Sequence, residues 1–68
     1  MTDVKLLAEA VEASGLMKKH ICKCLGITFQ GLAAKMNGTS EFKASEIKIL
    51  QELLHLSNDE RDKIFFAA

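Results

Sequence analysis

The sequence predicts a single all-α domain of five short helices, and three observations lead there. The 68 residues contain no proline and are rich in Ala, Leu, Lys and Glu, which lose little on entering a helix. Apolar residues recur at spacings of three and four rather than in strict alternation. Short turn signals, Gly15, Gly26 and the Asn37-Gly38 pair, separate the periodic segments, with no long polar linker or repeat. A chain this short buries only about 60% of the surface its unfolded form exposes, so a modest core is expected. At 49% hydrophobic residues it still belongs with globular rather than disordered sequences.

The first helix is expected from about Asp3 to Ser14, because Val4, Leu7, Ala8 and Val11 make one apolar stripe, Thr2 or Asp3 can cap the free amides, and Gly15 can end it. A second, short helix spans about Met17 to Leu25, with Ile21, Cys22 and Leu25 inward. The third follows Thr28, a good N-cap, and runs through Met36 to the Asn37-Gly38 stop, with Leu32 and Met36 on one side. Phe42 lies in the next loop and is expected to plug the core. The fourth covers about Ser45 to His55, with Ile47, Leu50 and Leu54 facing in. Ser57 and Glu60 have the spacing of a capping box and open the fifth, which carries Ile64, Phe65 and Phe66.

Formal net charge is zero, yet the charges are segregated. From Ala13 to Ser40 the charged side chains are Lys18, Lys19, Lys23 and Lys35, with His20 beside them; all nine acids lie outside that window. A neutral protein can therefore present one cationic face to a polyanion, the alternative being four lysines solvated on an ordinary polar surface. No apolar run approaches the roughly 18 residues of a membrane span, and the start of the chain lacks the pattern of a secretion signal. Two cysteines without such a signal point to reduced thiols in a cytoplasm.

Residues 17 to 37 read as a helix-turn-helix: two short helices joined by a turn with a central glycine. Cys22 supplies the small side chain needed at the helix crossing, Gly26 tolerates positive φ in the turn, and Ile27 fills the space beneath it. The second helix of such a pair can enter the major groove of DNA with its first turn toward the bases.

With its Ile21-Cys22, Leu25-Gly26-Ile27, Thr28, Phe29-Gln30 and Asn37-Gly38 elements, "GLMKKHICKCLGITFQGLAAKMNG" resembles the DNA-binding domain of Cro/CI-type phage repressors. "EFKASEIKIL" resembles the fourth helix of their short members, so the likeness spans essentially the whole chain. It implies a compact five-helix lambda-repressor-like domain in which Thr28, Phe29, Gln30, Ala33, Ala34 and Asn37 face the bases and Lys18, Lys19 and Lys35 contact phosphate. Gln30 is the strongest base reader among them, since its amide can pair bidentately with adenine. Thr28 has both a capping and a phosphate role open to it, and Phe29 either meets a thymine methyl or turns inward. Ala33 and Ala34 stand where sharp readers carry polar groups, Gly31 weakens the helix by about 1 kcal/mol relative to Ala, and Lys35 falls where many relatives keep an apolar residue. Thymine methyls and DNA shape must then contribute more to readout.

Other chemistry finds little support. Cys22 and Cys24, two residues apart on a helix, point about 200° away from each other, and His20 with Cys24 makes two ligands where structural zinc takes four, so no metal is expected. No nucleophile has a recognisable His and carboxylate around it and no phosphate loop occurs, so neither enzymatic activity nor a cofactor or small-molecule ligand is expected. Phe65 and Phe66 point about 100° apart, so one can pack inward while the other is left to form a two-fold dimer contact. The expectation is a Cro-like phage or prophage repressor in a bacterial cytoplasm, a homodimer at least on DNA, occupying a palindromic operator in double-stranded DNA. The alternative is an antirepressor-like protein-interaction module that pairs with another regulator and binds DNA weakly.

Overall fold

The computed structural model describes residues 1–67. Its elements are α1 (Val4–Ser14), α2 (Lys18–Leu25), α3 (Phe29–Met36), α4 (Ala44–Leu53) and α5 (Asn58–Phe65), with no strand among the described residues. Local chemistry sets most of the starts. Asp3 Oδ1 accepts from the Leu6 amide at 3.0 Å, Thr28 Oγ1 from the Gly31 amide at 3.0 Å, and Ser57 with Glu60 forms the reciprocal capping box.

The fourth helix begins one residue earlier than the sequence predicts and stops at Leu53, short of His55. His55 adopts φ 54, a left-handed conformation, and closes the helix: its amide donates to Glu52 O at 3.3 Å and the Leu56 amide to Gln51 O at 2.9 Å. A glycine normally fills that position because a Cβ crowds the following carbonyl there. Gln51 secures the turn by donating from Nε2 to Leu56 O and to Asn58 Oδ1, while Arg61 Nη1 donates to its Oε1.

The helices pack in a closed cycle: α1 on α3, α3 on α2, α2 on α4, α4 on α5 and α5 back on α1. Leu7, Ile21, Leu32 and Leu50, one from each of the first four helices, meet at the centre and are essentially inaccessible. Truncating such a side chain to Ala costs about 2–5 kcal/mol. Phe42 plugs the core as expected and meets Phe65 edge to face, with ring centroids 5.4 Å apart. Two backbone hydrogen bonds clasp the chain ends, Asp3 N to Ile64 O at 2.6 Å and Ala67 N to Met1 O at 2.9 Å, and the first satisfies a carbonyl in the last turn of α5. The radius of gyration, 10.6 Å, is close to the roughly 11 Å of a compact domain this long.

Of the two candidate dimer contacts, Phe65 is excluded. It is 2% exposed and belongs to the core, whereas Phe66, about 100° further round, is 60% exposed. The first-helix stripe is also narrower than expected, with Leu7 and Val11 buried but Val4 and Ala8 exposed, Val4 at 37%.

One buried charge pair joins α3 to α4. Glu46 Oε1 and Oε2 accept from Lys35 Nζ at 2.5 and 2.7 Å, and Oε1 also accepts from the Lys43 amide at 2.8 Å. The side chains are 13% (Lys35) and 7% (Glu46) exposed. Burial pushes the Glu46 carboxyl up, but the Lys35 ammonium, the Lys43 amide and the two nearby positive charges outweigh it and hold the group below its ordinary value. Glu60, in the α5 capping box, is also held low, by hydrogen bonds from Ser57.

Two predictions follow from these contacts. Replacing Lys35 by Met leaves a buried carboxylate uncompensated and should cost about 3 kcal/mol in urea unfolding, whereas Lys35→Met with Glu46→Gln should recover most of that loss. Because the folded Glu46 pKa is depressed, its stabilisation is complete above the unfolded carboxylate value of about 4.3 and disappears as pH falls through the folded one. The double variant should therefore lose less stability than the native chain as pH falls below about 4, keeping only the acid sensitivity of other groups such as Glu60. Separately, His55→Gly relieves the left-handed strain and should raise the unfolding free energy by about 1 kcal/mol; an unchanged urea midpoint would show that His55 sits there at no cost.

Candidate functional site

The connection from α2 to α3 is three residues long, Gly26, Ile27 and Thr28. Gly26 takes φ 70, and the Ile27 amide donates back to Cys22 O at 3.1 Å, so the chain reverses immediately after α2. Cys22 is buried with its Sγ 3.7 Å from Thr28 O, placing the small side chain against the start of α3. Leu25 and Ile27 are partly buried against the core on either side of the turn. Two short helices are thus held together by their own turn.

The faces of α3 divide by helical period. Leu32 is buried and Lys35 and Met36 are partly buried. Flanking that side, Phe29, Ala33 and Asn37 form one row four residues apart, with Gln30 and Ala34 in the next, further from the core. All are exposed except Ala34, which is intermediate, and Phe29 reaches 60% exposure. Phe29 turns outward, resolving one of its two alternatives. Among the described residues α5 packs on α1 and α4 and not on α3, so it leaves this side uncovered.

Six of the residues singled out from sequence retain open side-chain surface here, but their hydrogen-bonding capacities differ. Thr28 Oγ1 is occupied as an acceptor by the Gly31 amide, which leaves its hydroxyl proton free to donate. A Cβ at Gly31 would stand 3.2 Å from that same Oγ1, so a larger residue crowds the cap. Asn37 Oδ1 accepts from the Thr39 amide at 2.9 Å, leaving its NH₂ as a donor but not the bidentate pattern that reads adenine. Gln30 has no hydrogen bond among the described residues and keeps both its donor and its acceptor.

A shallow groove of about 360 Å³ runs along this side, lined by Ala8 of α1, Lys18 of α2, and Phe29, Leu32, Ala33, Met36 and Asn37 of α3. It places the Lys18 side chain beside the outward row of α3. Lys18, Lys19 and Lys23 are exposed and have no ion pair among the described residues. α2 also starts without a side-chain cap or a first-turn acid, and has Lys18 and Lys19 in that turn. Two ammonium groups and uncapped amides thus gather at the positive end of a helix.

Lys35 departs from the expected phosphate contact. It does not stand ready for phosphate, because its ammonium is turned inward onto Glu46 and lies 6.0 Å from the centre of the Phe42 ring. Lys35 is three residues after Leu32, on the buried side, and the Glu46 carboxylate reaches both the Lys43 amide at the α4 start and this ammonium, a pairing across eleven residues that no local pattern announces. The contribution of Ala8 to the groove had no sequence signal, since it depends on how α1 crosses α3.

His20 Nε2 and Cys24 Sγ lie 3.6 Å apart on the exposed side of α2, while Cys22 is buried away from them. No three metal-ligating side chains gather among the described residues. No described helix is long and apolar enough to cross a membrane. Comparisons with protein-family models, with curated proteins and with solved structures gave no match.

Proposed function

We propose that the chain is a sequence-specific double-stranded DNA-binding regulator, with α2 and α3 acting as a helix-turn-helix and α3 entering the major groove. The observation that carries the reading is the outward row of α3, open along its length and joined by Lys18 in one groove, within a stretch free of acids. Lys18 and Lys19 contact phosphate on either side of the uncapped α2 start, where backbone amides and the helix dipole also favour an anion. Gln30 reads adenine, and Thr28 caps α3 while donating its hydroxyl proton to the backbone of the nucleic acid. The protein then acts as a Cro-like phage or prophage repressor in a bacterial cytoplasm, occupying an operator and excluding other proteins from it.

One chain offers few contacts, and a two-fold dimer doubles them on a palindromic site whose half-sites lie about 34 Å apart. Phe66, exposed in a groove with Ala44, Ile47, Lys48, Gln51 and Arg61 on the α4–α5 side, would contribute to that dimer. A second reading draws on a different observation. Phe29 and Met17 are 60% and 71% exposed, and large exposed apolar groups also mark protein-binding surfaces. In that case the chain is an antirepressor-like module that pairs with another regulator and binds DNA weakly.

Salt separates the two readings. Affinity for duplex DNA should fall steeply with ionic strength, and Lys18→Ala should flatten the log–log slope by about 0.9 per chain. The Lys35→Met/Glu46→Gln variant should leave that slope unchanged, because the Lys35 ammonium is already spent on Glu46. A salt-independent, micromolar or weaker interaction with every duplex tested would favour the protein-interaction module. Gln30→Ala should cost about 1–3 kcal/mol at the preferred site and little on random duplex; an equal loss on both would remove Gln30 as a base reader.

A further inference from the structure

The withdrawal of Lys35 has a consequence for what α3 can read. Its outward side carries Phe29, Gln30, Ala33, Ala34 and Asn37, and no charged side chain. Guanine is read in the major groove chiefly by Arg or Lys on O6 and N7, and the cytosine amino group by Asp or Glu. Neither chemistry is present on this row. It offers instead one free primary amide, on Gln30, and an apolar strip formed by Phe29 and Ala33 one turn apart. The apolar feature that base pairs display in the major groove is the thymine methyl group.

We infer that the half-site is built of A·T pairs and that thymine 5-methyl groups, seated on Phe29 and Ala33, are recognised directly. The inference rests on the DNA-binding reading and narrows its ligand class. Gln30 and Phe29 are adjacent and project about 100° apart, so they address different base edges: the amide takes adenine N6 and N7 while the ring covers a neighbouring methyl. Lys18 lines the same groove as Phe29 and Ala33, so a phosphate held by its ammonium fixes how closely the strip approaches the bases. Asn37, its carbonyl tied to Thr39, retains a donor that suits thymine O4 as well as guanine and does not restore guanine selectivity by itself.

The test uses the full chain and a duplex enriched from a random pool at physiological salt. Each thymine is replaced in turn by deoxyuridine, which removes the methyl and leaves every hydrogen-bonding group in place. At one or two positions per half-site the substitution should weaken binding about fourfold, the value of burying one methyl-sized group. Phe29→Ala should lower affinity for the thymine duplex to the same extent and become indifferent to uracil at that position. Since Phe29 is a surface side chain, an unchanged circular dichroism spectrum and urea midpoint will show that the variant remains folded. Enrichment of G·C pairs at the contacted positions, or neutral uracil substitution throughout, overturns the inference while leaving DNA binding standing. Failure to enrich any duplex removes the DNA-binding reading itself, and the inference with it.

Discussion

The orientation of α3 depends on a carboxylate carried by another helix. Glu46 lies in the first turn of α4, accepts from the Lys43 amide that opens that helix, and draws the Lys35 ammonium down from α3. One buried group thus completes a helix start, neutralises a lysine and fixes the rotation of α3 about its axis. Leu32 is held inward by packing alone, and Lys35 adds a polar lock on the same side. A buried pair of this kind contributes little net stability compared with apolar replacements, because desolvation offsets much of the attraction. Rotating α3 outward would draw the Lys35 ammonium away and leave the Glu46 carboxylate buried without its partner.

The cyclic packing explains why α2 and α3 keep free surface. In a domain of five short helices each one needs two neighbours to cover its apolar stripe, and the order α1, α3, α2, α4, α5 supplies them. The clasp between chain ends seals α5 to α1 on the far side of that cycle from α2. Ile64 and Phe65 are consumed there, and among the described residues α5 makes no packing contact with α3. The exposed row from Phe29 to Asn37 is therefore open because the core is satisfied elsewhere.

Most of the fold was legible because its signals are local. The Ser57–Glu60 box, the Thr28 cap and the Leu7–Val11 spacing each act within a turn or two of helix, and all lie where the sequence places them. What escaped needed a partner distant in sequence. Lys35 looked like one more surface cation until Glu46, eleven residues away, was brought beneath it. Phe65 and Phe66 could not be told apart by period alone, since either ring could face inward; the meeting of Phe65 with Phe42 decided it. The end of α4 was missed for a different reason. A histidine in the left-handed region carries no sequence signature, and the glycine that normally announces such a stop is absent.

The starts of the helices differ in a way that bears on function. α1, α3 and α5 each have a side-chain oxygen on a free amide, and α4 has the Glu46 carboxylate. α2 has Met17 at its cap, no acid in its first turn, and two lysines there instead. Each lysine opposes the helix dipole by roughly 0.3–1 kcal/mol, and the missing cap forgoes about 1 kcal/mol more. Evolution of stability alone would favour Ser or Asp at position 17 and Glu near position 20, as the same chain uses at Ser57 and Glu60. A local rule broken without compensation inside the fold is expected where the compensating group comes from outside. An anion reverses every one of these penalties together: it accepts from the uncapped amides, pairs with Lys18 and Lys19, and complements the dipole. Because Lys18 also lines the groove with Phe29, Ala33 and Asn37, an anion held there would lie beside the outward row of α3.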